Sequence, residues 1–464
     1  MKATLSSSTI PRRMALLAVL FLHLLVLKAD CIPFASPIRT FGGSWVWSFD
    51  VSPDGSKLAI GEEAPESGVW RAFASVWDIR SGEQLISVAS PDNTTTVEFA
   101  PDGSRLLIGA SRLIELELST NLSMEFGVSN EWVKTVRFLP GQDEVFTLSQ
   151  RQHGGTGRLW DARTGQQLAQ HEDLIAVSGD GLLAMRARAH EGVRVIDTVT
   201  GETRAVWADV TGRWIEHWNQ EIAGAEFGSG NEFVYFVADG LHVLEPQEVL
   251  ILNVHTGEIA GRYPGYLPLA FSPDGTLMAT SVANYSWRED WQCDSECDKV
   301  ILRRADSGSE VRRFKGALRK DSMGFGVCFA LANSIEFSAD ARYVLTAAGT
   351  PTDQANNAIA ELWEVESGRL IAAFDRGLRA LFVPGGKEVA VLRMGGPVQL
   401  FDIRFFLVNL RHAATDDGAE IHWDLGILQF ANAPSGPWAD LPAASPFRLS
   451  TVGGQGFFRV KVNE

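Results

Sequence analysis

The chain has 464 residues, 45% hydrophobic and 21% charged, a balance that excludes global disorder. Its 41 basic against 57 acidic side chains leave a net charge of −16, and an acidic surface gains no affinity by neutralising phosphates, which argues against a nucleic-acid partner. Length alone suggests about three domains unless the chain is a repeat, in which each unit packs only on its neighbours.

At the N-terminus, Lys2, Arg12 and Arg13 precede an apolar run from Met14 to Leu27. A positive stretch followed by so short an apolar run predicts a signal peptide over residues 1–30, since a membrane span needs about 20 residues. An uncleaved anchor and a lipid anchor on Cys31 are the alternatives. The expected location is secreted, periplasmic or cell-envelope, with membrane contact confined to that segment. Removing residues 1–30 takes away four positive charges and one negative, leaving the mature chain near −19.

A repeat follows over residues 31–404. One unit reads Phe49-Asp50-Val51-Ser52-Pro53-Asp54-Gly55, then Val76-Trp77-Asp78-Ile79-Arg80-Ser81-Gly82. The first half recurs from Phe99 and Phe271, and more loosely from Phe138, Phe337 and Phe382. The second half recurs at Leu159-Trp160-Asp161, Val195-Ile196-Asp197 and Leu362-Trp363-Glu364, with weaker copies near Leu116, Leu252 and Leu302 and a truncated one at Leu400. Alternating apolar residues around Pro-Asp-Gly and Ser-Gly or Thr-Gly turns predict two hairpins, hence four short strands, per unit.

At these residues the chain resembles the WD40-like β-propeller family, with Trp77-Asp78 and Trp160-Asp161 matching its signature dipeptide. The resemblance implies an all-β protein made of four-stranded blades. The chain lacks the Gly-His dipeptide ahead of each blade, so the family's buried His-centred hydrogen-bond network is not expected. Counting second-half motifs gives eight blades. Seven is the alternative count, because the Leu116 and Arg304 units are degenerate. The last unit lacks a fourth strand, and Pro37 to Gly42 reads like one, so the N-terminal strand is expected to close the ring and remove exposed edges.

Residues 405–464 form a different module, with short alternating runs split by Gly and Pro. Gly436-Pro437-Trp438 and Phe457-Phe458-Arg459-Val460 resemble the small C-terminal β domains of exported bacterial proteins. A sorting, attachment or accessory-binding role is implied, with a passive end-piece as the alternative.

The tight turns belong at one end of the blades, and the long connections at the other. Glu62 to Ala72, Gln150 to Thr156, Ala283 to Asp298 and Gly349 to Ala358 are expected as loops within units. Ala208 to Glu221 and Lys315 to Asn333 are expected between them. These segments hold Trp70, Trp214, His217, Trp218, Trp287, Arg288, Asp290 and Trp291. Aromatic and Arg residues gathered on one surface have the composition of a binding patch, and exposed indoles suit sugars or cations. Each indole could instead seal its own loop. Trp77, Trp160 and Trp363 are expected to be structural.

Cys293 and Cys297 are read as a local disulfide bracing a loop, two free thiols being the alternative. No nucleophile elbow, zinc-binding helix or phosphate loop is present, and no cofactor or metal is implied. Asp197 to Gly201 with Trp207 matches a single copy of the tryptophan-docking repeat of quinone-dependent dehydrogenases. The leading expectation is an exported, non-enzymatic propeller that binds a protein or glycan partner through its looped face. The competing one is a propeller enzyme (hydrolase, lyase or quinoprotein-like) with carboxylates at the channel mouth.

Overall fold

The structure, a computed structural model, describes residues 35–461 except 44, 67–68, 91–95, 128–130, 142, 152–153, 189–191, 212–224, 238–247, 282–295, 318, 321–325, 328–331, 349–357, 394–395, 408–410, 416–417, 424–425, 432–436, 442 and 451–456. The N-terminal apolar run, Cys31 and Cys328 lie outside the described residues. Among the described residues, no helix is long and apolar enough to cross a membrane.

Each repeat unit folds as two antiparallel hairpins. The first unit comprises Trp45–Val51, Lys57–Glu66, Val69–Asp78 and Gln84–Ser90, hydrogen-bonded in that order. The two units that look degenerate in sequence are complete sheets: Thr96–Phe99 to Leu122–Phe126, and Tyr266–Phe271 to Glu310–Ala317. The third and fourth units merge into one seven-stranded sheet, because Gln167–Val177 ends one and begins the next. The chain changes partner at Leu174, aligned with both Gly155 and Arg186. Asp173, just before it, has a φ of 60°. The last unit, Gly377–Phe382, Glu388–Arg393 and Val398–Asp402, has three strands of its own; Arg39–Phe41 supplies the fourth, with Phe41 opposite Val398.

Side chains on alternate faces of each sheet bury themselves against the neighbouring units. Ala59 and Val76 of the first unit meet Val97, Phe99 and Ile108 of the second. Similar clusters join every later pair, and one joins Phe41, Phe49 and Ile60 to Val383, Leu392 and Leu400 of the last unit. Each fully buried Phe or Leu contributes roughly 1.5–3 kcal/mol, so the interfaces between units hold most of the stability. With one exception, the first strands of consecutive units lie against one another; the exception is the third and fourth units, joined through Phe146, Leu159, Ala184 and Ile196.

The turns explain the recurring Asp and Gly. In the first unit Asp54 accepts hydrogen bonds from Ser52 Oγ (2.6 Å) and the Ser56 N–H (3.0 Å). Those donors, Ser52 first, draw its carboxyl down to about 2. Gly55 follows at φ 71°, a left-handed conformation that costs glycine little.

The structural Trp residues behave as expected, but the polar network beside one of them is built on a carboxylate. Trp77 Nε1 donates to Ser75 Oγ (2.9 Å), Ser75 Oγ donates to Glu62 Oε1 (2.9 Å), and Glu62 also accepts from the Gly43 N–H. Trp160 and Trp363 each donate to a neighbouring Thr, Thr147 at 3.0 Å and Thr346 at 3.2 Å.

Two expected loops are instead strand. Glu62 to Ala72 continues the ladder, Glu63 facing Ala72 and Pro65 facing Trp70, to a hairpin at 66–69. Gln150 to Thr156 does the same, with Gln150 opposite Gly155. Extending both strands pairs backbone groups that a loop would leave to water. Cys297 likewise lies in a strand, Glu296–Arg304, opposite Gly316; Cys293 is outside the described residues.

After Asp402 a helical turn, Arg404–Leu407, places Phe406 and Leu407 against the cluster shared by the last two units, beside Ala35. The Ala35 N–H donates to the Ala373 carbonyl at 3.1 Å. Both segments flanking the repeat thus cover Leu370–Asp375, whose Ile371 to Phe374 are buried. Among the described residues, the tail's strands pair with one another, as two three-stranded sheets around Ile421, Trp423 and Leu428.

Candidate binding face and inner ring

Every unit's first strand begins, and its second strand ends, at the end of the sheet opposite the Pro-Asp-Gly turns. Trp70 lies at that end, near the tip of the first unit's long hairpin. Trp214, His217, Trp218, Trp287, Arg288, Asp290 and Trp291 lie outside the described residues.

Three further indoles share this end: Trp45 and Trp47 in the first unit and Trp132 in the third. Exposure is 48%, 50% and 47% for these and 53% for Trp70. Trp45 and Trp47 stack with ring centroids 6.4 Å apart and planes 26° apart. Trp45 faces Glu63, and Trp132 faces Gln150.

Trp47 projects because it is the extra residue of a β-bulge: Val46 aligns with Glu62, and Ser48 with the very next residue, Gly61. The same irregularity recurs at the same level in other first strands, at Lys134, Asn333 and Leu378. A bulge re-aims its side chain and sharpens local twist. The bulge residues therefore form a collar where the first strands begin.

Beyond the collar, nearer the turns, is a ring that the sequence reading did not single out. The turn-closing hydrogen bonds, such as Ser52 N–H to Lys57 O and Ala100 N–H to Arg105 O, fix which residues are equivalent between units. By that alignment Asp50, Glu98, Arg137, Glu226 and Glu336 occupy one position in five first strands, and Arg379 stands two residues nearer the collar in a sixth. Asp50 accepts from the Phe99 N–H (2.8 Å), Glu226 from the Leu269 N–H (3.1 Å) and Glu336 from the Phe382 N–H (2.7 Å); Glu98 pairs with Arg137. Each acid thus binds the next unit in chain order.

These groups act on one another across the units. Arg137 of the third unit acts on Glu226 of the fifth, and Arg379 of the last acts on Glu98 of the second. Glu98 keeps 24% and Arg137 32% of side-chain surface, yet the surrounding protein strongly desolvates the carboxyl. Burial pushes Glu98, Glu226 and Glu336 up to about 7, and Asp50 upward too, against the lowering effect of the backbone N–H groups and arginines. Among the described residues, no group of His, Cys, Asp and Glu is arranged to hold a metal ion.

The sequence did carry a signal for this ring. A charged residue directly precedes Phe within an apolar strand at Val97-Glu98-Phe99, Val136-Arg137-Phe138, Ala225-Glu226-Phe227 and Ile335-Glu336-Phe337. Trp45, Trp47 and Trp132 carry no such signal, because they stand in strands, where alternation alone would read an indole as core, and not in the long connections.

No family model and no curated protein matches the chain. Among solved structures it is similar to Chaetomium thermophilum Sqt1 bound to the N-terminus of ribosomal protein L10, with TM-score 0.56, 14% identity and coverage of 79% of this chain and all of that one. Kuenenia stuttgartiensis hydrazine synthase aligns over 79% of this chain and 97% of its own, at TM-score 0.45 and 12% identity. The first likeness, with the repeated four-stranded sheets, establishes a β-propeller fold of WD40-like kind. It says nothing of activity.

Proposed function

We propose that this protein is an exported, eight-bladed propeller that captures a protein partner on the face where its first strands begin. The observation carrying this reading is that Trp45, Trp47, Trp70 and Trp132 all expose about half their surface at one end of the sheets. Large rigid side chains held by strands lose little entropy on binding, and Trp is prominent among residues that dominate interfaces. Eight blades are supported by eight inter-unit clusters, and closure by the pairing of Arg39–Phe41 with Val398–Asp402. Sqt1, bound to the N-terminus of a ribosomal protein, is a precedent for a propeller holding a peptide. A glycan stacked on the Trp45–Trp47 pair is the other partner class this surface suits. Export rests on the N-terminal 30 residues, and the tail's accessory role on its sequence pattern. The domain division is 1–30, 31–404 and 405–464.

Site-specific photo-crosslinking tests the face. A crosslinker at Arg71, exposed beside Trp70, is expected to trap a partner that the same group at Arg80, exposed at the turn end, does not. Equal trapping at both positions would contradict the assignment.

The second reading is a channel enzyme, favoured by three glutamates poised near neutral pH, a property common at catalytic sites. Turnover of a glycoside or ester that is lost in Glu98→Gln would establish it. The binding of each acid to the next unit supports the first reading.

A further inference from the structure

We propose that the inner-ring carboxyls act as a proton-operated clasp, holding neighbouring units together more firmly at mildly acidic than at mildly alkaline pH. Four carboxyls, Asp50, Glu98, Glu226 and Glu336, and two guanidinium groups, Arg137 and Arg379, lie on the first strands of six units and act on one another. Fully ionised, the ring carries an excess of two negative charges in a space with little water to solvate them, which is costly. Proton uptake removes the excess, and the protonated carboxyl can still accept the backbone hydrogen bond through its carbonyl oxygen.

The four acids differ in what they face. Glu98 faces Arg137, Asp50 and Arg379. Asp50 faces the Phe99 and Val51 N–H groups, Arg379 and Arg137. Glu336 faces the Phe382 N–H, Arg379 and Asp50. Glu226 faces the Leu269 N–H and, among the described residues, the cation Arg137 of the third unit. On its other side is the Tyr263 phenol, with the Arg303 guanidinium 4.6 Å over that ring. Protonating Glu98 weakens its ion pair with Arg137, whereas Glu226 and Glu336 are each held by a backbone N–H, a bond that survives protonation. Glu226 and Glu336 are therefore the proton-sensitive members.

The sign follows from linkage. For an acid raised from 4.5 to about 7 on folding, the cost is absent below about 4.5, where both states are protonated, and complete above about 7. Stability therefore falls as pH rises through that window. Two of the bonds, Glu226 to Leu269 and Glu336 to Phe382, stitch the fifth unit to the sixth and the seventh to the eighth.

The test compares melting temperatures of the full chain between about pH 5.5 and about pH 8 with those of Glu226→Gln, Glu336→Gln and the double variant. Glutamine keeps the acceptor oxygen and removes the titration. Wild-type melting temperature is expected to fall across this range, and the fall to be roughly halved in the double variant. Effects from the net charge and other titrating groups are common to all the proteins. An undiminished fall in a folded double variant would overturn the clasp. If the double variant does not fold, infrared titration of the wild-type carboxyl stretch decides: a band titrating near pH 7 supports the clasp, and none above about pH 6 overturns it.

Discussion

Trp45 and Trp132 hold the same place in two different units, each the first residue of a first strand, and each leaves nearly half its surface exposed. The unit between them begins its first strand later, at Thr96. Their shared position makes exposure a property of the collar rather than of one irregular loop. Replacing Trp45 and Trp47 by Ala is expected to shift stability by no more than about 0.5 kcal/mol, as for surface sites. Trp363→Ala should cost about 3–5 kcal/mol, because that indole is fully buried and stacks on Phe314 at 6.0 Å. Urea unfolding of the variants measures both.

The closing strand depends on one side chain. Phe41 is buried among Phe49, Ile60 and Leu400, with its ring edge-on to Trp77 at 6.1 Å. Phe41→Ala should lower stability by about 3–5 kcal/mol. Hydrogen exchange should then show the loss of protection concentrated in Val398–Asp402, which pairs with Arg39–Phe41. Loss spread evenly through all units would argue against a seam there.

Two turn positions should respond in opposite directions. Gly55 has φ 71°, and a Cβ there would meet the Pro384 carbonyl at 2.8 Å, so Gly55→Ala should destabilise by roughly 1–3 kcal/mol. In the seventh unit Ala341 occupies the corresponding place at φ 58°. Ala341→Gly should raise stability by up to about 1 kcal/mol, less whatever the freer unfolded chain gives back. Thermal melts of the two single variants test the pair.

Much of this fold was legible because local chemistry repeats: Asp and Gly mark the turns, and Trp or its substitute marks the third strand. Degenerate copies still fold: where Trp stands elsewhere, Leu116 is buried between sheets and Arg303 is buried over the Tyr263 ring. The hairpin at 66–69 was hidden, because Glu and Pro in its strands resemble loop composition and only the ladder reveals their pairing. The charged ring was written in the strands, but a charge inside an apolar strand gains meaning only when the first strands of several units bring their charges within reach of one another. The Trp45–Trp47 pair was obscured for another reason: a bulge, not the alternation, decides where Trp47 points.

Export can be checked directly. Deleting residues 1–30 removes Arg12, Arg13 and the apolar run and is expected to retain the protein in the cytoplasm. Continued export of the shortened chain would contradict the signal assignment.

The most direct test is quantitative capture from cell-envelope and culture fractions by the wild-type protein and by a Trp45→Ala, Trp47→Ala, Trp70→Ala, Trp132→Ala variant of matched melting temperature. The expected result is a partner set held by the wild type and depleted about tenfold or more with the variant, equivalent to at least about 1.4 kcal/mol of binding energy. Identical capture by the two proteins would contradict binding through this face.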